Sequence, residues 1–324
     1  MVNQRMKRFN RPKLAEDKKP DVPVRYLGAA DQHHGIVSIP ADGQFHPAPW
    51  DLARRLAASD DYEVDHPDFR PIRSREPASI INSREPVTII ISSYEQPHLT
   101  AKALHSVISH GTTIRDQILV VDDGSSPGTV EALEVIIGPC KRRDVRLVKL
   151  VRLPHPALAR SRQVGRNLAK HPWVLWMDND VEWMNGDPLI RLQQLWKTGM
   201  GAIMPQRVGP KGQKYGASKF DRKLHPSGSA VGGTAEAMYP EGACWLSRKS
   251  TFHLWRFDTA LPCYEDVHVG LQMYRAGLKM ICTSDMQVSH AVWGSGLWKY
   301  AEAHPEVRDK LLSEWADVAR RVTA

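Results

Sequence analysis

Cysteine is scarce in this chain, and what there is follows no pattern. Cys140, Cys244, Cys263 and Cys282 are scattered through 324 residues without a C-x-x-C pair. That spacing argues against a disulfide framework or a structural zinc site and leaves buried thiols. Long apolar runs are missing too: no stretch approaches the roughly 20 residues of a membrane-spanning helix. The opening "MVNQRMKRFNRPKLAEDKKP" has no apolar core of the signal-peptide kind, so the expected location is the cytoplasm. Net acidity is also absent. Lys and Arg number 44 against 36 Asp and Glu, a formal charge of +8, with part of the excess in Arg5, Lys7, Arg8, Arg11, Lys13, Lys18 and Lys19. Such an arm suits peripheral contact with phosphates or anionic lipid, and equally a solvated tail; charge alone makes no case for nucleic acid.

What is present is globular material, 42% hydrophobic and 25% charged, long enough for one large α/β domain and an appendage. Residues 1–85 are rich in Pro, His and Asp, with apolar pieces "VRYLG" and "GIVSIP" and one helical stretch, "PWDLARRLAAS". They read as a basic arm and a small accessory module, which resembles modules of phage-associated proteins.

From Pro86 apolar runs alternate with amphipathic segments. "VTIIISSY" (87–94) is uniformly apolar and β-branched, a strand covered on both faces. In the segment that follows, Pro97 suits a first helical turn, while Leu99, Ala103, Leu104, Val107 and Ile108 share a face. The unit repeats: strands "QILVV" (117–121), "VRLVKLV" (145–151) and "WVLWM" (173–177) each precede a helical segment, the last running from Asp187 to Gly199. This alternation predicts βαβ crossovers and a parallel sheet. The Gly-, Ser- and Lys-rich stretch 205–240 reads as long loops. "CYEDVHVGLQMYRAGLKM" (263–280) reads as a helix with Val267, Leu271 and Tyr274 on one face and Gly277 at its close. An amphipathic helix is expected within residues 301–324, following Pro305, with Val307, Leu311, Leu312, Trp315, Val318 and Val322 on one side.

Ligands of an open parallel sheet bind beyond the carboxyl ends of its strands, so those ends carry the chemistry. They hold Ser92, Ser93 and Tyr94; Asp122 and Asp123; and Asp178, Asn179 and Asp180. A pair such as Asp122–Asp123 can simply cap the next helix. Asp178 and Asp180 differ, because two acids straight after an apolar strand have no local counter-charge, and a bound magnesium or manganese ion accounts for them. Glu265 and Asp266 open a helix, where the dipole favours carboxylates.

"PVTIIISSYEQP", "ILVVDDGSS", "ARSRQVGRNLAKHPWVLWMDND", "GACWLSRKSTFHLWRFDTALPCYEDVHVGLQMYRAGLKM" and "VSHAVWGS" stand in the order and spacing of family 2 glycosyltransferases, which the chain resembles over about residues 86–295. The resemblance implies a type A glycosyltransferase fold over 86–300, a Rossmann-like, mostly parallel sheet flanked by helices, with a nucleotide-sugar half (86–182) and an acceptor half (183–300). It implies that Asp122, Asp123, Ser92 and Tyr94 contact the nucleotide base and that Arg162 faces the uracil or the phosphates. Asp178 and Asn179 would lie at the donor, with Asp180, Asp178 and His290 on a manganese or magnesium ion. Asp266, with Glu265 beside it, would be the catalytic base of an inverting transfer from a nucleoside diphosphate sugar, UDP-linked by resemblance. Two departures stand out: Gln163 replaces the family's usual asparagine, and "HLWRFD" around Asp258 replaces Gly-Gly-Phe-Asp. The acceptor is left open among a glycan, a protein and DNA. The alternatives are a sugar nucleotidyltransferase, which needs a Gly-rich basic loop where "SSYEQPH" stands, and a non-catalytic carbohydrate- or nucleic-acid-binding protein on the same fold.

Overall fold

The computed structural model describes residues 84–110, 112–140, 144–151, 158–184, 187–220, 226–291 and 296–318, and before these only five short strands. The chain divides into two units, Met1–Pro71 and Ile72–Ala324. In the first, β1 (Val22–Tyr26) lies between β4 (His46–Ala48) and β5 (Tyr62–Val64), and β2 (Gln32–His34) pairs with β3 (Val37–Ile39), all antiparallel. The helix expected at "PWDLARRLAAS" lies outside the described residues.

The second unit is built on a ten-stranded sheet. β6 (Val87–Ser93) is central in its parallel part, with β7 (Gln117–Asp122) and β8 (Asp144–Lys149) to one side and β9 (Trp173–Asp178) to the other. Every residue of β6 and β7 is buried, which is why both read as unbroken apolar runs. The crossovers are α1 (Pro97–Ser109), α2 (Pro127–Ile137) and α3 (Leu158–Leu168). The expected α1 stripe, Leu99, Ala103, Leu104, Val107 and Ile108, is buried.

Beyond β9 the sheet becomes mixed. β10 (Val181–Trp183) is antiparallel to β17 (Lys279–His290), β17 is parallel to β11 (Met200–Val208), and β16 (Cys244–Arg248) runs antiparallel between β11 and β9. Between β10 and β11 lies α4 (Pro188–Leu195), capped by Asp187, which accepts from Ile190 N at 3.2 Å. It stops at Leu195, a turn short of the expected Gly199. The stretch expected as loops forms β12 (Lys214–Tyr215) against β11, β13 (Ala217–Phe220) paired with β14 (Pro226–Ser229), and β15 (Thr234–Ala237) against β17. Backbone pairing, with the long β11 and β17 for β12 and β15 and with each other for β13 and β14, makes these strands, so their side chains carry no period of two.

α5 (Glu265–Arg275) buries Val267, Val269, Leu271 and Met273, whereas Tyr274, expected on that face, is exposed. α6 (Gly296–Ala303) and α7 (Pro305–Glu314) follow, and Leu311 and Val318 pack with Val267, Leu271 and Tyr239. Under the sheet Trp176, Trp245, Trp255, Phe252 and Phe257 form an aromatic cluster, Trp176 and Trp245 stacking at 5.2 Å. Three of the four cysteines, Cys244, Cys263 and Cys282, are buried. No helix among the described residues is long and apolar enough to cross a membrane.

Candidate active site

The register of the parallel strands sets the first row of the site. Ser92 pairs with Asp178 and Ser93 with Asp122, so the polar ends of β9, β6 and β7 stand side by side at the carboxyl edge. Antiparallel pairing of β10 with β17 sets Val181 opposite His290, which brings the far end of β17 beside Asp180. Ala291 N donates to the Asp180 carbonyl at 2.9 Å. One ligand atom each from Asp178, Asp180 and His290 then lies within 4.8 Å of the other two, with His290 Nε2 3.2 Å from Asp180 Oδ2. Arg207 Nη1 lies 3.4 Å from His290 Nδ1, and its Nε is 2.5 Å from Glu241.

The loops at this carboxyl edge are held by side chains that cross between them. Asp122 is buried and its carboxylate accepts from Gly124 N (3.2 Å), Ser125 N (3.1 Å) and Ser125 Oγ (2.5 Å). It shapes a turn that Gly124, at φ +82°, completes without a Cβ penalty. Asp123 pairs with Arg160 Nη2 at 3.0 Å, and Arg160 also donates to the Val151 carbonyl. Glu95 accepts from Ser126 N, Ser126 Oγ and Thr129 Oγ1, each at 2.9 Å, and so caps α2 from the neighbouring loop. Ser92 is buried against Ser161, Tyr94 is half exposed, and Asn179 Nδ2 donates to Thr100 Oγ1 at 3.3 Å.

Arg162 joins the halves. Its Nη1 donates to Glu265 Oε1 at 2.6 Å, and its Nη2 to Asp178 Oδ1 at 2.7 Å and to the Gly242 carbonyl at 2.6 Å. Its side chain, 1% exposed, lies in the interior between these acceptors. Burial opposes its charge, yet Asp178, Glu265 and Asp266 outweigh burial and raise its pKa. Burial pushes the Glu265 carboxyl up to about 7, Arg162 opposing and Asp266 adding to the rise. Asp178 and Asp266 are likewise raised by burial against the pull of Arg162.

The acid pair divides. Glu265 is buried on Arg162, whereas Asp266 is only partly buried and accepts from Gly242 N at 3.1 Å and Val267 N at 2.7 Å. Tyr264, just before them, has φ +62°, and Glu95 has φ +51°. These two non-glycine residues of positive φ among the described residues both border the site, where such strain collects. Asp258 lies away from it, turned onto Ala260 N.

Arg160, Glu95, Arg207 and Gly242 are site residues that the sequence reading did not single out. Arg160 stands two positions before Arg162 in α3, the one local signal among them; the other three are recognisable only through their partners.

A family model described as glycosyl transferase family 2 matches residues 88–255. Among solved structures, GalNAc-T7 with UDP, GalNAc and Mn2+ is similar at TM-score 0.55 and 14% identity, over 72% of this chain and 54% of that one. The mannosyltransferase PcManGT from Pyrobaculum calidifontis, in complex with GDP-Man and Mn2+, is similar at TM-score 0.52 and 17% identity, over 74% and 65%. TarS from S. aureus is similar at TM-score 0.53 and 16% identity, over 71% and 39%. These likenesses show the type A glycosyltransferase fold, and the chain spans less than two thirds of each of the three. Comparison with curated protein sequences gives no match. The family match begins at residue 88, so the likeness of residues 1–85 to phage-associated modules rests on their sequence alone.

Proposed function

Because the chain belongs to glycosyl transferase family 2, we propose that it is a metal-dependent, inverting glycosyltransferase that takes a sugar from a nucleoside diphosphate sugar, a UDP-sugar in the first instance. The observation that carries this reading is the meeting of Asp178 at the end of β9, Asp180 in the turn after it and His290 at the end of β17, far away in sequence. Two carboxylates and an imidazole fit manganese, and magnesium through the oxygens. These three residues would hold the ion; when bound, it supplies positive charge against the departing diphosphate. GalNAc-T7 and PcManGT, crystallised with Mn2+ and with UDP or GDP-Man, support the same donor chemistry.

The chain's own residues do the rest. Asp123, fixed by Arg160, presents a carboxylate to the nucleobase beside Ser92 and Tyr94. Asp266 accepts the proton of the acceptor hydroxyl as its oxygen bonds to the anomeric carbon; the bond from that carbon to the diphosphate oxygen breaks, and nucleoside diphosphate leaves. Asp266 suits this role better than Glu265, whose carboxylate is buried on Arg162. Asp178 and Asn179 border the donor at the end of β9.

A panel of UDP-, GDP- and dTDP-sugars with manganese, read by thermal shift, tests the donor class. One nucleotide should raise the melting temperature only with the metal present. A shift from nucleotide without metal, or from none of the panel, contradicts the reading. Transfer to glycan, peptide and DNA acceptors then separates the three acceptor classes.

A further inference from the structure

The backbone segment Gly242–Ala243 is fastened to three sides of the site. Gly242 N donates to Asp266 Oδ2 at 3.1 Å, its carbonyl accepts from Arg162 at 2.6 Å, and the Ala243 carbonyl accepts from Asp178 N at 2.9 Å. Arg162 fastens the same parts a second time, spanning Asp178 Oδ1 and Glu265 Oε1. A Cβ at Gly242 would stand 3.2 and 3.3 Å from the guanidinium nitrogens and 3.3 Å from Asp266 Oδ2, so a larger residue must displace both. The arginine is thus enclosed by acids and backbone on every side where it donates.

We infer that Arg162 is a positioning residue: through Gly242 and Glu265 it sets the placement of Asp266 relative to Asp178 of the cation triad, and it contacts no part of the donor. This rests on the reading that both acids take part in transfer. The fork geometry is what the role requires. Lysine carries the same charge but offers one compact ammonium, which cannot hold a carboxylate on one arm and a second carboxylate with a carbonyl on the other. The expected signature is therefore a fall in turnover with donor binding retained, because the positioned groups matter most as charge develops in the transition state.

The test is steady-state kinetics of the full chain, with manganese affinity measured by electron paramagnetic resonance, for the parent, Arg162→Lys and Gly242→Ala. Misplacement of reacting groups by an ångström costs about 100-fold, so R162K should lose about 100-fold in kcat, and G242A, shifting its neighbours by less, about 10-fold. In both, donor KM and manganese affinity should stay within about threefold of the parent, which separates lost positioning from lost binding. If R162K does not fold, G242A, which keeps every charge, decides alone. A rise in donor KM at unchanged kcat overturns the inference, because it makes Arg162 a donor contact. Parental kcat per folded molecule also overturns it, because it leaves only a structural role. An active parent with either result sinks the positioning role alone; a parent that turns over no nucleotide sugar sinks the glycosyltransferase reading with it.

Discussion

Asp266 and Glu265 are neighbours in sequence with different surroundings, and each difference predicts a measurement. Asp266→Asn keeps size and most hydrogen bonding but cannot take a proton. It should bind donor and manganese like the parent and lose transfer by roughly 100-fold or more. Transfer near the parental rate, with Glu265→Gln inactive, reverses the assignment. Glu265 makes a pH prediction. Its folded pKa, about 7, lies above the ordinary 4.5, so the folded state holds a proton that the unfolded chain has released across that window. Its contribution to stability is therefore full below about pH 4.5 and lost as pH rises through about 7. Urea melts at pH 5 and pH 8 should show Glu265→Gln gaining on the parent as pH rises; a difference that stays constant, or that moves in the parent's favour, means Arg162 outweighs burial. At this scale the sequence was legible where chemistry is local: Asp178 and Asp180 follow an apolar strand, and the Glu265–Asp266 pair opens a helix. Glu95 is not legible in the sequence and Arg160 only through its nearness to Arg162, because Asp123, Ser126 and Thr129, which define their work, belong to the β7–α2 segment, brought near only by the sheet. Arg162 is recognisable as a site residue, but nothing in sequence shows that Asp178, Gly242 and Glu265 enclose it.

The same divide runs through the elements. β6, β7 and β9 could be read directly, because burial on both faces demands uninterrupted apolar residues, and α1 because its buried positions recur at helical spacing. β12 to β15 could not. They contain "KY", "ASKF", "PSGS" and "TAEA", too short and polar to show alternation, and they exist because β11 and β17 offer backbone partners or because they pair with one another. α5 illustrates support at a distance. Its first turn carries the acid pair, while its inner face, Val267 and Leu271, rests on Leu311 and Val318 at the end of the chain. Arg275 lies over the Trp315 ring at 3.8 Å, and His268 meets the same ring edge-on at 5.5 Å. Leu311→Ala should therefore destabilise the protein by about 2–4 kcal/mol in urea melts, the range for truncating a buried leucine. A cost below about 1 kcal/mol would mean that α7 does not support α5.

Over the whole molecule the two units have separate predicted tasks. The cation triad, the acid pair and Arg162 all belong to Ile72–Ala324, and none of the donor motifs lies in Met1–Pro71. Residues 1–85 are accordingly expected to direct the acceptor, and a chain lacking Met1–Pro71 should release nucleoside diphosphate from the donor at the parental rate. If it folds yet loses nucleotide binding, the first unit takes part in the donor site. The central claim, that Asp178, Asp180 and His290 hold the metal against which a nucleoside diphosphate departs, is tested most directly by assaying nucleoside diphosphate release from the nucleotide sugar identified by the panel. Parent, Asp180→Ala and His290→Ala are compared across a manganese titration. The parent should turn over only with the metal, and each variant should need at least about 10-fold more manganese or lose turnover, the scale on which altering a metal site acts. Metal-independent release by the parent, or variants that follow the parental manganese curve, would contradict it.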